Sequence, residues 1–518
     1  MKKKLLLLNA PPLAVLEPWF DAPEFVRTAL AVLAGYFREN SDWEVQCLDA
    51  KYERLSFQET VDRIKAYAPD AVGLTAFTNE IKPSAYLAGL IKKELPNCKT
   101  IIGGAHFTAI PIETMEEFPT FDFGVMGDGE ETLVELCNAI AHSASLEPIK
   151  GIVYRNLDGA IFKNADRPRM LEQDALPMPA WDLLPAAKEY YIQTVRGCPF
   201  ACLFCLNHNG KVARKRGVPK TIEEMEWLIN TFKAKRISFG DELFSVDMKR
   251  TEALMDAMIE RGIGQKVSWD IQTHVAYVDD NLLRKMKLAN LAKIEMGVES
   301  GDELTLKRMG KGTTKEMILK AFSNARKHNL KTGSFFIIGQ PNETHETIWN
   351  SIKLAIKINP TEPIFGTMVP YPGTEIARMA ASGEGGYKLL TTNWDEYRKQ
   401  LNGSMEINSL PRTILERYQI LGYVIVFLAN FRFWSFLKFF WEYRGGAIKL
   451  FQKALLGRQS TGGFITFPND YEEVINSKTH LSMQQIVDSR ETWKKLQSSE
   501  VKRAREFAPH LLEEQMPI

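Results

Sequence analysis

The 518-residue sequence predicts an α/β protein built from two successive parallel-sheet domains and a mainly helical C-terminal region. Three observations carry this expectation. Short apolar runs alternate with amphipathic stretches from residue 1 to about 145, the pattern of parallel strands buried between helices on both faces. The alternation returns between Tyr190 and about Tyr371. Past that point it stops, and an aromatic-rich stretch without proline takes over between Tyr418 and Tyr443. A chain of this length exceeds what one hydrophobic core can hold.

In the first region, strands are expected at Lys4–Asn9, Trp43–Asp49, Ala71–Thr75, Thr100–Gly103 and Phe123–Met126. Helices fit Pro23–Glu39, Thr60–Ala68, Ser84–Leu95 and Glu130–His142. The opening MKKKLLLLNAPP has a basic start, but its run of leucines is too short for a secretory signal and reads as a buried first strand. Open parallel sheets bind ligands beyond the carboxyl ends of their strands. The segments there are small or polar: Asn9-Ala10-Pro11-Pro12, Thr75-Ala76-Phe77-Thr78-Asn79, Gly103-Gly104-Ala105-His106 and Gly127-Asp128-Gly129-Glu130. No G-x-G-x-x-G follows the first strand and two prolines occupy its loop, which disfavours a nicotinamide cofactor. Residues 146–189 read as a connector: VYRNLDGAIFKN has a hairpin pattern around Asp158-Gly159, and ALPMPAWDLLP is punctuated by proline.

In the second region, strands are expected at Ile192–Val195, Arg236–Phe239, Val267–Ile271, Ile294–Val298, Gly333–Ile338 and Ile364–Val369. Helices fit Ile222–Ala234, Met248–Arg261, Asp280–Leu288, Lys315–His328 and His345–Ile358. The first strand runs into RGCPFACLFC, where Cys198, Cys202 and Cys205 stand in a C-x3-C-x2-C spacing. Three thiolates this close can wrap one soft metal centre. An iron–sulfur cube usually takes four cysteines, so three leave one iron open to a small molecule. A zinc site would need a fourth ligand, for which His208 is near enough, and a disulfide is disfavoured without a secretory signal. The other three cysteines, Cys47, Cys98 and Cys137, are scattered and read as small buried hydrophobes, an intracellular usage that implies a cytoplasmic protein. A formal charge of +1 gives no global reason to expect a nucleic-acid partner.

The cysteine loop, with Phe204 before its last cysteine, resembles the signature of radical S-adenosylmethionine enzymes. The resemblance implies a four-iron, four-sulfur cluster on Cys198, Cys202 and Cys205. Its open iron would bind the amino and carboxylate groups of S-adenosylmethionine. An electron from an external donor such as flavodoxin or ferredoxin would then cleave that molecule to a 5′-deoxyadenosyl radical. It also implies a partial (β/α)6 barrel for residues 190–380, with its chemistry at the carboxyl ends of the strands. Carried over by position, Asp241 and Glu242 match where the family binds the amino group, with Gln272 and His274 pointing the same way. Glu299 and Ser300 would approach the ribose or methionine portion. Gly339 opens GQPNET, similar to the family's G-x-P-G-E-T turn with Asn342 in place of glycine, and Tyr371-Pro372-Gly373-Thr374 is also family-like. The bland alternative makes Asp247 a helix cap and leaves Asp241 and Glu242 merely solvated.

Residues 1–145 resemble the Rossmann-like cobalamin-binding domain that precedes many such barrels, since GGAHFT and VMGDGEET look like its last two loops. This implies corrin contacts from Thr75, Phe77, Thr78, Gly103, Gly104, His106, Gly127 and Glu130. The D-x-H-x-x-G motif is absent, so His106 is expected as a loop contact, with cobalt held without a protein imidazole. The alternatives are a surface histidine of no role and a degenerate domain that only braces the barrel.

Residues 381–518 form the mainly helical C-terminal region, in which 418–443 suits either a helix packed over the barrel mouth or a membrane-surface contact. Asn430, Arg432 and Lys438 interrupt it, which disfavours a span. The expected function is methylation of an unactivated carbon of a small molecule, such as a natural-product or lipid precursor, through methylcobalamin and the 5′-deoxyadenosyl radical. The alternatives are radical cyclisation, ring rearrangement or oxidation without methyl transfer, or a non-catalytic iron–sulfur or zinc protein.

Overall fold

The computed structural model describes residues 2–12, 25–156, 158–399, 403–442, 468–475, 477 and 481–513. The chain divides into two compact units. One takes Met1–Ala187, Asn393–Asp395 and Gly462–Trp493; the other takes Lys188–Thr392, Glu396–Thr461 and Lys494–Ile518.

The first unit is a seven-stranded sheet of β1 (Lys4–Asn9), β2 (Glu44–Asp49), β3 (Ala71–Thr75), β4 (Lys99–Gly103), β5 (Phe123–Val125), β6 (Ile152–Arg155) and β7 (Ile161–Lys163), in the order β2-β1-β3-β4-β5-β6-β7. The first five pair in parallel, and β5, β6 and β7 pair antiparallel. Leu5 to Leu8 are all buried, as a central strand covered on both faces requires. Residues read above as a connector therefore enlarge this sheet: the hairpin adds two strands to its edge. One helix start differs from expectation because a cap fixes it. Phe57–Tyr67 begins three residues earlier than the periodicity suggested, because Ser56 and Glu59 form a capping box there. Beyond β4 the GGAHFT segment turns at once into short helices, Ala105–Ala109 and Pro111–Glu117.

The second unit holds β8 (Glu189–Ile192), β9 (Val195–Arg196), β10 (Arg214–Lys215), β11 (Arg236–Phe239), β12 (Ser268–Thr273), β13 (Leu291–Glu299), β14 (Lys331–Ile338) and β15 (Glu362–Thr367), then a small hairpin of β16 (Tyr387–Leu389) and β17 (Met405–Ile407). Six parallel strands run β15-β14-β13-β12-β11-β8, each beside its neighbour in sequence, which is the partial barrel. One face packs Tyr190, Ile192, Phe239, Trp269, Ile271, Ile294 and Met296 into the core. The other carries polar pairs: Arg236 with Asp270 (2.6 Å), Lys293 with Glu362 (2.8 Å) and Gln272 with Glu295 (3.2 Å). The first barrel strand ends at Ile192, short of the expected Val195. Val195–Arg196 instead pairs antiparallel with Arg214–Lys215 and closes a hairpin around the cysteine loop.

The aromatic stretch forms two helices, Arg412–Ala429 and Phe433–Glu442, separated where Phe431 takes φ +55°. The first covers the barrel's edge strand: Gln419 donates to the Phe365 carbonyl (2.7 Å) and the Tyr423 hydroxyl accepts from the Phe365 N–H (3.2 Å). The second leaves Phe433, Trp434, Leu437 and Trp441 exposed. Arg444 and Lys449, two further cations that follow this stretch in the sequence, lie outside the described residues. No helix among the described residues is long and apolar enough to cross a membrane.

The connector's contact with the first unit is tight enough to test. The Ala180 N–H donates to Ala31 (2.8 Å), and a side chain on Gly35 would meet the Met178 carbonyl oxygen at 2.5 Å. That oxygen belongs to backbone and cannot rotate away, so Gly35→Ala is expected to cost about 1–3 kcal/mol. Calorimetry should show one transition displaced downward, with iron loading of the other unit unchanged.

Candidate functional site

The cysteine loop leaves β9 and is held by its neighbours on every side. The Cys198 N–H donates to the Gly210 carbonyl (3.0 Å), Cys205 to Cys202 (3.1 Å), and Leu203 to the Met309 carbonyl (3.1 Å). Phe200 stacks flat on His274, with ring centroids 4.5 Å apart at 16°. The orientation of that imidazole is fixed: Nδ1 accepts from the Ala276 N–H (3.1 Å), so Nε2 carries the proton, toward Thr313 Oγ1 (2.8 Å) and the Lys311 carbonyl (3.2 Å). Burial and the nearby Lys311 charge hold His274 down to about 3, so it stays neutral. Sequence reasoning grouped His274 with Gln272 as aimed at a ligand; in the structure it is a platform under the cysteine loop.

The two carboxylates after β11 differ from expectation in the same way. Asp241 is buried and accepts from the Thr194 N–H (2.5 Å), the Val195 N–H (2.8 Å) and the Thr194 hydroxyl (2.7 Å). Glu242 accepts from the Gly197 N–H (3.2 Å) and from the Asn209 amide. Both therefore brace the entry to the cysteine loop instead of facing an open position. The bland reading fails for Asp241 too, since it is not solvated; burial pushes its carboxyl up to about 6. Asp247 does cap its helix, accepting from Arg250 (2.9 Å).

Glu299 stands at a bulge where β13 slips against β14, with φ +65°. A non-glycine residue held there is strained, the kind of backbone that gathers at functional sites. Its Oε1 pairs with Lys311 Nζ (2.6 Å), which also donates to the Gly297 carbonyl (2.8 Å). A side chain on Gly297 would meet that ammonium at 2.1 Å, so the glycine makes room for the pair. Lys311 lies close enough to act electrostatically on Cys202. Sequence reasoning missed it, although Gly310-Lys311-Gly312 was a signal: a lysine between two glycines can be brought against backbone. Ser300 is buried against Ser351 (3.3 Å) and Asp302 (3.2 Å) and is spent on the fold. Gln272 is exposed at the end of β12. Gly339 donates to Glu343 and accepts from the Tyr387 hydroxyl (2.9 Å), and Asn342 takes the left-handed φ of +58° that the family's glycine would.

At the strand ends of the first unit, a side chain on Gly104 would meet the Ala76 backbone at 2.7 Å, so this glycine serves the packing of β3 on β4. Gly127 (φ +69°) has nothing among the described residues within 4 Å of where its side chain would begin. Phe77 is exposed, its ring capped by the Arg27 guanidinium at 4.7 Å. Thr78 is buried and reaches His106 Nδ1 at 3.3 Å, and Glu130 is buried at the start of its helix. His106 is neither surface nor loop: it lies fully buried in a short helix beside Trp394 (5.0 Å), with no partner for Nε2 among the described residues and its imidazole held down to about 3 by burial.

Comparison with known proteins assigns the class. Residues 192–355 match the Radical SAM superfamily and residues 24–137 the B12 binding domain. An uncharacterized methyltransferase of Pyrococcus horikoshii, PH0819, is 33% identical over 377 residues, 71% of this chain and 80% of that protein. The anaerobic magnesium-protoporphyrin IX monomethyl ester cyclase of Rubrivivax gelatinosus is 28% identical over 67% of this chain and 65% of its own. Two solved structures share the fold at 17% identity: the methyltransferase TsrM of Kitasatospora setae with cobalamin and [4Fe-4S] cluster bound (TM-score 0.65; 88% and 100% covered), and OxsB with aqua-cobalamin and S-adenosylmethionine bound (TM-score 0.68; 98% and 81%). The chain belongs to the radical S-adenosylmethionine enzymes that carry a B12-binding domain. Its cofactors are a [4Fe-4S] cluster, S-adenosylmethionine and cobalamin.

The residues present fit the first and last of these. Burial pushes the Cys198 thiol up to about 12 and Cys202 up as well, so a thiolate at either needs a cation beside it, which iron supplies. With no described residue within 4 Å of its side-chain position, Gly127 is a place where a bulky ring can approach backbone.

The Glu343 turn yields a pH prediction. Burial pushes this carboxyl up to about 8 from 4.5, against two backbone N–H donors. The folded form therefore holds a proton that the unfolded form releases. That stabilisation is fully present below pH 4.5 and is lost as pH rises through about 8. Glu343→Gln keeps an oxygen for the two donors and carries no charge. Denaturation midpoints should fall from about pH 5 to 8 in the parent and fall less in this variant.

Proposed function

We propose that the protein methylates an unactivated carbon of a small molecule, with S-adenosylmethionine as the source of both the methyl group and the radical. The observation that carries this reading is the presence of a radical barrel and a B12-binding domain in one chain whose 33%-identical relative is named a methyltransferase. When bound, the cluster supplies the electron that cleaves S-adenosylmethionine and cobalamin supplies a methyl carrier.

The chain's own residues have separable tasks. Cys198, Cys202 and Cys205 hold the cluster, while Asp241, Glu242 and His274 hold the loop that bears them. Glu299 offers Oε2, which accepts no hydrogen bond among the described residues, to the ammonium or ribose of S-adenosylmethionine. Lys311 keeps Glu299 in place and is a cation for the carboxylate of the same molecule. Gln272 adds an amide at the same rim, and Gly339 shapes the turn without lending a polar atom. Thr75, Phe77, Gly103 and Gly127 line the corrin side of the first sheet, with Thr78, Gly104, His106 and Glu130 supporting them from within. Cobalt then has no protein imidazole. The electron comes from an external donor such as flavodoxin or ferredoxin. Membrane contact, where it occurs, falls to residues 431–441, because the helix before them is spent on the barrel edge. The second reading is radical cyclisation, favoured by the 28% identity to the cyclase.

Two measurements test this. Glu299→Ala should keep its iron yet bind S-adenosylmethionine about tenfold more weakly, since a lost charge-assisted bond costs roughly 1.5–3 kcal/mol; unchanged affinity in a spectroscopic titration rejects the assignment. Purification after expression with hydroxocobalamin, followed by anaerobic incubation with methyl-labelled S-adenosylmethionine and cell extract, should give a corrin spectrum and a labelled metabolite. A corrin spectrum with an unlabelled, dehydrogenated product would favour the cyclase reading instead.

A further inference from the structure

We propose that Lys211 sets the reduction potential of the cluster, acting as a cation held against the cysteine loop by Glu500 from the C-terminal helix. This rests on the cluster assignment above and not on the fate of the methyl group.

Lys211 lies six residues past the last cysteine, and its ammonium donates to the carbonyl of Phe200, inside the cysteine loop itself. Its charge acts on Cys198 and on Cys205, whereas Lys311 acts on Cys202. The two lysines therefore approach different cysteines. Lys311 is committed to Glu299, and Glu242, the nearby opposing charge, is spent on Gly197 and Asn209. What remains is why Lys211 stands where it does. Glu500, in the helix Met483–Phe507, accepts from the backbone N–H of Lys211 (3.0 Å) and of Val212 (3.4 Å). Its carboxylate occupies the position that a side chain at 210 would take: an added carbon on Gly210 would meet both Glu500 oxygens at 2.3 Å. Gly210 in turn accepts the Cys198 N–H (3.0 Å), and one turn back on the same helix Gln497 donates to the Leu206 carbonyl (3.3 Å). The helix thus grips both ends of the segment 206–212 and aims its lysine at the cysteines.

A cube with three thiolates is negative, and reduction adds one more negative charge. A fixed cation stabilises the reduced form more than the oxidised one, and net charge near the sulfurs is among the determinants of cluster potential. Lys211 therefore makes the cluster easier to reduce by a one-electron donor.

The test is an anaerobic redox titration of the reconstituted full-length protein, followed by electron paramagnetic resonance without S-adenosylmethionine. Lys211→Gln keeps a donor for Phe200 and loses the charge; its reduced-to-oxidised ratio at fixed potential should fall about tenfold, which for one electron is 59 mV. Lys211→Arg should stay at the parent's value. Glu500→Gln keeps an oxygen for the loop N–H groups but removes a negative charge, and should shift the midpoint the opposite way. Should Lys211→Gln fail to load iron, Lys211→Met, which keeps the length of the side chain and loses its charge, takes its place, and an unchanged midpoint there overturns the proposal. So does an equal shift in Lys211→Gln and Lys211→Arg, which would mark a packing role.

Discussion

The second unit depends on one carboxylate accepting hydrogen bonds at the point where a strand stops. Asp241 takes the Thr194 and Val195 N–H groups and the Thr194 hydroxyl, so the chain leaving β8 turns at a fixed angle into β9. Without that acceptor two buried N–H groups would be unpaired, each at a cost of roughly 1–3 kcal/mol. Everything downstream follows from the angle. Val195–Arg196 meets Arg214–Lys215, the hairpin closes, and in the cysteine loop between them the N–H groups of Cys198, Leu203 and Cys205 are each hydrogen-bonded to backbone.

The same economy ties up polar side chains at the barrel mouth. Asp241, Glu242 and Ser300 all stand at strand ends, where position alone would assign them to a ligand. Each is occupied by the protein's own backbone or a neighbouring hydroxyl. Glu299 is the exception: its strained φ and the bulge beside it hold the carboxylate out of register, and among the described residues only one of its oxygens is spent, on Lys311. Strain retained at one position while its neighbours relax is what a ligand contact would require.

Much of this fold was legible in the sequence. A central strand such as Lys4–Asn9 announced itself, because burial on both faces forces an uninterrupted apolar run. The cysteine loop was legible because its ligands are adjacent in the chain. The hairpin at 152–163 was seen as a hairpin but not as part of the sheet, since edge pairing leaves no mark on hydrophobic pattern. The functions of His274, Lys211 and Asp241 were not legible either. Their partners are fixed by tertiary contact: Glu500 lies 289 residues from Lys211, and Asp241 lies 46 from Val195. Local sequence says that a carboxylate ends a strand; it does not say whether it points outward or back.

The first sheet makes the same distinction with glycine. Gly103, Gly104 and Gly127 all sit at strand ends and look equivalent in sequence. Gly104 is required by the backbone of Ala76 behind it, and a larger residue would part β3 from β4. Gly103 has ordinary clearance, its nearest neighbour being the Val125 carbonyl at 3.5 Å. Gly127 has no neighbour among the described residues within 4 Å of its side-chain position. A glycine kept by packing says nothing about a ligand. A positive-φ glycine without such a neighbour leaves its backbone open to approach, which is what the proposed corrin contact at the loop after β5 requires.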